Sequence, residues 1–301
     1  MSDSPVTSRT FVGPQFLAGT WRTLQTLARF ARRQPLGTIG LLICLVALFA
    51  GVLAPWVDRY DWNEANYRVR LQGPSASHWF GTDEAGRDLY SRIVHGTRIS
   101  LYVAFFSIAL GTTIGYLLGA VSGYFRGWVD LILQRLIDAM LALPAILMAL
   151  AMVAVLGAGV DKVIAAISIV YLPRAARVSR GVALSLRENA YVDAATVIGA
   201  SPMRVVLRHI LPNSLAPYLI LASVSLGGAI LLEASLSFLG LGVPPPSPSW
   251  GGMLASSAAQ YALSNPWMVL IPGAVIMLLV LAFNLFGDSL RDVWDPKLRG
   301  R

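Results

Sequence analysis

The chain has 301 residues, 55% of them hydrophobic and only 13% charged, with a mean hydropathy of +0.62 and a formal net charge of +8. A soluble domain carries about 25% charged residues, so these proportions and the repeated long apolar runs exclude an ordinary soluble core and indicate an all-α polytopic membrane protein. The single cysteine, Cys44, lies within the first apolar run and excludes an intrachain disulfide.

In chain order, the first feature is an N-terminal segment, residues 1–35. Leu17, Trp21, Leu24, Ala28 and Ala31 recur at spacings of three and four, while Arg22, Arg29 and Arg33 occupy another face. That pattern predicts an amphipathic helix lying in the inner membrane interface, with docking on a partner as the alternative. The first apolar run, 36–57, is too long and begins too far along the chain for a cleaved signal peptide, so it reads as an uncleaved span. Five more stretches are long enough to cross a bilayer, at 99–122, 131–157, 162–181, 215–240 and 266–287. With the N-terminus placed in the cytoplasm, the inner segments 1–35, 123–138, 174–214 and 288–301 hold 17 basic and 8 acidic residues. The outer loop 58–98 is balanced at six of each, and the outer loop 241–265 has no charge. The excess of Lys and Arg inside predicts that both termini are cytoplasmic. Trp56, Trp250 and Trp267 then fall at outer boundaries, and Trp21, Trp128 and Trp294 at inner ones.

Within the outer segment, Thr82 followed by Asp83 and Glu84 predicts a capped helix that Gly96 would end before the second span. His78 and His95, 17 residues apart, lack the spacing of a metal site, so charge-balanced packing or contact with an extracytoplasmic partner is the expectation. In the second span Gly111, Gly115 and Gly119, and in the third Pro144, permit close helix contact and bending. Asp138 is expected to pair with Arg135 three residues earlier. Glu233 lies 18 residues into the fifth span, ~27 Å along it. An intramembrane carboxylate faces protein or water, so Glu233 either lines a translocation pathway or is buried against another span. The outer stretch GVPPPSPSW is rigid, and reads as a docking or gating surface or as a stiff connector.

Between the fourth and fifth spans lies a polar insert, 188–212. Nothing breaks a helix from Asn189 to Ile198, Gly199 supplies a stop, and Ser201 with Pro202 reads as an N-cap and first helical residue. A second helix is predicted from Pro202 to His209, ended by Pro212. Ala190 and Ala194, and likewise Ala195 and Gly199, are four apart and make a small-residue side, bracketed by Arg187, Arg204 and Arg208. So few arginines on a tethered segment give little phosphate affinity, which excludes a nucleic-acid reading. A solvated connector remains the plain alternative.

These residues carry a resemblance. The stretch DAATVIG, followed by HILP, is similar to the EAA signature of permease subunits of ATP-driven (ABC) importers, matching at Ala194, Ala195, Gly199, Leu211 and Pro212. Asp193 stands where the general pattern has Glu, and His209 where it has Ile. Further stretches at 78–101, 138–150, 235–254 and 281–300 resemble the C-type permeases of the dipeptide/oligopeptide family, which also includes glutathione and nickel permeases. The resemblance implies a type I importer permease: six transmembrane helices, with a core over 99–290 that carries the insert as a cytoplasmic coupling helix, and a cytoplasmic tail at 291–301. It also implies a coupling set of Asp193, Ala194, Ala195, Gly199, Arg204, Arg208, His209 and Pro212 facing an ATPase. Implied partners are a homologous permease subunit forming a heterodimer, two ATP-binding subunits that hold ATP and Mg, and an extracytoplasmic substrate-binding protein, all at a bacterial inner membrane. The chain itself has no P-loop, no H-E-x-x-H and no G-x-S-x-G motif, so neither a cofactor of its own nor an enzymatic activity is expected. An ion-coupled secondary transporter, or a nickel-complex permease of the same family, is the alternative reading.

Overall fold

The computed structural model describes residues 31–294, and among them regular structure is helical apart from one Thr82–Asp88 bridge. Of the predicted amphipathic segment only residues 31–35 are included, of which 31–33 are helical and Pro35 begins the next helix; residues 1–30 and the tail from 295 on lie outside the described residues. Helix α1 (Pro35–Val52) starts with proline at its first turn, where the missing N–H has no helical partner to lose, and α2 (Ala54–Val57) adds one turn. Then follow α3 (Leu89–Phe125), α4 (Gly127–Leu141), α5 (Ala145–Leu156) and α6 (Val160–Arg187). The insert holds α7 (Ala190–Val197), α8 (Pro202–Val205), a widened π-turn over Val206–Ile210, and α9 (Leu211–Asn213). Helices α10 (Leu215–Phe238), α11 (Trp250–Tyr261) and α12 (Trp267–Trp294) complete the chain.

The axis of the molecule is α3 packed along α6. Gly111, Gly115, Gly119 and Gly123 put a glycine on one face of α3 at every fourth position. A Cβ at these positions would lie 2.3, 2.2, 2.1 and 2.7 Å from the carbonyl oxygens of Ser168, Leu172, Ala176 and Arg180. Only glycine tolerates that approach, which brings the two backbones into direct contact. Serines of α6 fasten the seam: Ser179 Oγ donates to the Tyr116 carbonyl of α3 at 2.6 Å, and Ser168 Oγ shares its proton between Ile164 of its own helix at 2.7 Å and Ser107 of α3 at 3.1 Å. Around this pair Val103, Ile108, Ile167, Ile230 and Leu236 form the continuous buried core.

Several sequence expectations change. The second span is the middle of a single helix of 37 residues, ~55 Å long, that begins outside the apolar stretch. The third span is not straight: α4 and α5 meet at 95°, with Pro144 in extended geometry at the break. Four helices, α1, α3, α10 and α12, are long and apolar enough to cross a membrane, and the bent pair makes a fifth if taken as one span. Helix α6 falls outside that set because it carries six charged residues. Some of these charges are neutralised across helices: Arg180 clasps Asp130 of α4 with two bonds of 2.6 Å, and Arg177 pairs with Asp138. Asp138 therefore does not bond Arg135, because α6 brings a guanidinium to it from another helix. Trp56 and Trp128 are each 78% exposed, as boundary residues should be, but Trp250 is fully buried and is no belt residue.

The seam yields a test. Gly115→Leu places a side chain where a carbonyl stands, an overpacking that costs at least about 1–3 kcal/mol. It should lower the thermal midpoint of the purified protein, whereas Gly181→Ala on α6, which meets no neighbouring atom within 4 Å, should not.

Candidate functional site

The insert forms a foot joined to the ends of α6 and α10. Asn189 occupies the cap position of α7 with extended backbone, but its carboxamide turns back to donate to the carbonyl of Leu186 at 3.0 Å. At the other end the chain reverses at Gly199, whose φ of +86° is the left-handed conformation that glycine reaches without cost. Gly199 N–H donates to Thr196 and Ala200 N–H to Ala195, each at 3.0 Å, the paired bonds of a Schellman stop. Pro202 then opens α8 as predicted, with Ser201 extended before it, but the Ser201 hydroxyl makes no capping bond. The predicted stop at Pro212 is also corrected. Pro212 sits in the first turn of α9, after the π-turn in which Leu211 N–H reaches back to Val206. The widened turn accommodates a residue with no N–H to donate, so the chain stays helical to Ser214.

The inner side of the foot packs on itself and on the end of α3. Val192, Ala195 and Val205 are buried, with Tyr124 and Ala200 against them. Arg187 donates to the Tyr124 carbonyl at 2.7 Å and lies 5.5 Å from the centre of its ring, while Arg126 pairs with Glu188. Tyr116 donates to the Ser214 carbonyl at 3.0 Å and ties the far end of the insert to α3. The foot is thus fixed to the glycine seam at both of its ends.

The outer side is where structure and sequence reading part. Ala195, placed on the small-residue side, belongs to the foot's own core, while Ala190, Asp193 and Ala194 are exposed and Gly199 has open space around it. Arg204 and Arg208 are exposed, and His209 is half-buried with its ring 6.3 Å from that of Tyr191. Asp193, Arg204 and Arg208 form no ion pair among the described residues. The residues missed are Val197 and Ile198, 86% and 85% exposed at the tip. Sequence spacing offered no clear signal for them: Ile198, three residues after the buried Ala195, would by helical period share its side, yet it stands exposed at the stop. Met203 and Leu207 are further exposed apolar residues of the insert.

Away from the foot, Glu233 is fully buried and accepts hydrogen bonds from Ser100 Oγ at 2.9 Å and Ser237 Oγ at 2.8 Å. Of the two positions open to it, burial between α10 and α3 is the one it occupies. Leu231 and Ser235, about half a turn away on α10, instead line a groove of about 820 Å³ shared with Ile146, Phe238, Met277 and Asn284. At the outer end, the start of α3 is capped by Asp88 and not by Thr82. Asp88 Oδ2 accepts Ser91 N–H at 2.8 Å and its Oδ1 pairs with His78 at 2.9 Å. Asp83 is consumed in a tight turn, accepting from the N–H groups of Ala85 and Arg87, and Gly86 at φ +74° prevents a helix there. Gly96 does not end a helix; it leaves room for Trp250, whose indole donates to the Ile93 carbonyl at 3.2 Å. His95 pairs with Asp58 at 2.9 Å, so the two histidines serve separate carboxylates. The rigid outer loop ends in Ser249, which caps α11 by accepting Gly252 N–H at 3.2 Å.

Comparison with known proteins bears on all of this. Residues 111–300 match the family described as binding-protein-dependent transport system inner membrane component. The chain is similar to the dipeptide transport system permease protein DppC of Alkalihalophilus pseudofirmus, at 45% identity over 89% of this chain and 88% of that one. A putative peptide transport system permease protein of Brucella suis is 44% identical over 91% and 92% of the two chains. The glutathione transport system permease protein GsiD of Pectobacterium atrosepticum is 41% identical over 90% of each.

The foot's own packing is testable without any partner. Val205→Ala removes two buried methyl groups, about 2 kcal/mol with the cavity they leave. Hydrogen exchange of the α7 amides should accelerate by an order of magnitude or more, while the amides of α3 stay protected.

Proposed function

The chain belongs to the binding-protein-dependent transport system inner membrane components and is a permease subunit, without chemistry of its own, and we propose that it imports peptides by coupling an ATPase stroke on its foot to movement of its spans. The carrying observation is the tip: two large aliphatic side chains held in solvent on a reversal that is bonded at both ends to the main helix pair. Burying Val197 and Ile198 in a groove of an ATP-binding subunit contributes about 1.5–3 kcal/mol each before the costs of association. Asp193, Ala194 and Gly199 surround that contact, and Arg204 and Arg208 supply a positive rim beside His209; Ala195 supports it from within, and Pro212 lies exposed at the start of α9.

In this reading the chain sits in a bacterial inner membrane with six spans, α6 being the sixth and the α4–α5 pair one bent span, and with both termini cytoplasmic. It pairs with a homologous permease subunit as a heterodimer, two ATP-binding subunits that hold ATP and Mg, and an extracytoplasmic binding protein. The groove of α5, α10 and α12 is the face proposed to line the pathway, in place of Glu233. Relatives named for dipeptides, peptides and glutathione support a short peptide as cargo.

Reconstituted with its partners in vesicles, the complex should take up peptide only when ATP is hydrolysed. Uptake driven by an ion gradient with no ATPase bound would overturn the proposal. Replacing both Val197 and Ile198 with Asp should reduce co-purification of the ATP-binding subunit at least tenfold while the permease pair stays intact. Gly199→Arg should abolish uptake in the same assay; retained uptake would mean that the foot is not the coupling element.

A further inference from the structure

A second groove, about 470 Å³ in volume, opens between α1 and α3 and is backed by α10 and α12. Its walls are apolar: Leu41 and Leu48 from α1, Tyr102 and Phe105 from α3, Leu226 from α10 and Phe286 from α12. Arg98 is the one charged residue that lines it. Nearby in the outer segment, Asp58 bonds His95, Asp88 bonds His78, and Asp83 pairs with Arg87 and Arg92. Arg98 is exposed and forms no ion pair among the described residues.

The position of that arginine gives the groove a polarity. Helix α1 crosses α3 at Gly51, where an added Cβ would lie 3.1 Å from Arg98 N, so Arg98 stands beside the last turn of α1. Trp56, 78% exposed just beyond, marks the same level as an interfacial one. From there the wall of α1 runs back from Val52 to Leu41, ~16 Å at the rise of an α-helix. At the membrane boundary a guanidinium with no protein carboxylate beside it is open to water and to lipid phosphates, and a phosphodiester accepts its paired N–H donors in the favoured geometry. The apolar channel next to it has the length and character of one acyl chain. We infer that the groove is a phospholipid site, with a phosphate on Arg98 and one acyl chain between α1 and α3. The leaflet is the extracytoplasmic one, an assignment that rests on the orientation proposed above.

Cys44 lines the groove and is the single cysteine of the chain, so it reports occupancy without any added mutation. The assembled complex, exchanged into detergent until loosely held lipid is removed, should retain one phospholipid per chain by native mass spectrometry. Added phosphatidylglycerol should slow maleimide labelling of Cys44 several-fold, and a diacylglycerol with the same chains, lacking phosphate, should not. Arg98→Gln should abolish both retention and protection. Leu48→Trp, which fills the groove and leaves Arg98 in place, should do the same and guards against a folding defect at Arg98. Equal protection by phosphatidylglycerol and diacylglycerol would overturn the inference, as would lipid retention unchanged in both variants. Cross-linking of Cys44 to a second permease subunit in place of lipid would overturn it as well.

Discussion

Four glycines of α3 lie against four carbonyl oxygens of α6, and the rest of the structure is arranged around that backbone contact. In a membrane the apolar surroundings give helices little reason to associate, so close packing and hydrogen bonds must hold them. The glycine face supplies the close approach, and Ser168 and Ser179 convert it into a bonded seam. A helix of ~55 Å held in this way moves as a body. One end touches the foot through Tyr116 and Tyr124, and the other is fixed to His78 through Asp88 and to Trp250 of α11 through the Ile93 carbonyl.

This arrangement explains how a subunit without chemistry can transmit work. Under the proposed function, force on the tip at Val197 and Ile198 would enter a foot whose helices are held together by the Schellman stop, the Arg187–Tyr124 contact and the buried Val192–Val205 pair. The foot joins α6 on one side and α10 on the other, so displacement reaches both the seam and the groove-lining helix. The bend at Pro144, by contrast, leaves α5 to meet the groove at a steep angle to α4. On this account α3 and α6 are the rigid part, and the junctions at Ser214 and Pro144 are where geometry changes.

Much of this was legible in the sequence, for identifiable reasons. Glycine and proline act locally, so the stop at Gly199 and the start at Pro202 could be read from neighbours alone. Spans and the spacing of Gly111, Gly115 and Gly119 follow from composition and period. What stayed hidden depended on contacts distant in sequence. Asp138 has an arginine three residues away, yet it pairs with Arg177 because α6 lies across α4. Trp250 looked like a belt residue and is buried because Gly96 opens a space for it. Thr82 was a plausible cap until Asp83 closed its own turn, which left the task to Asp88. At the foot, the small-residue pattern drew attention to Ala195, whereas that alanine is buried and the exposed large side chains are Val197 and Ile198.

The claim that the seam carries motion as one body is tested most directly by distance. With Cys44 replaced by alanine, spin labels at Leu110 on α3 and Ser201 on the foot, both exposed, report the separation of seam and foot. The account predicts one narrow distance distribution, unchanged between the nucleotide-free complex and one trapped with nucleotide. A shift approaching a helical turn, about 5.4 Å, between those states would show that the foot moves independently of α3 and would contradict it.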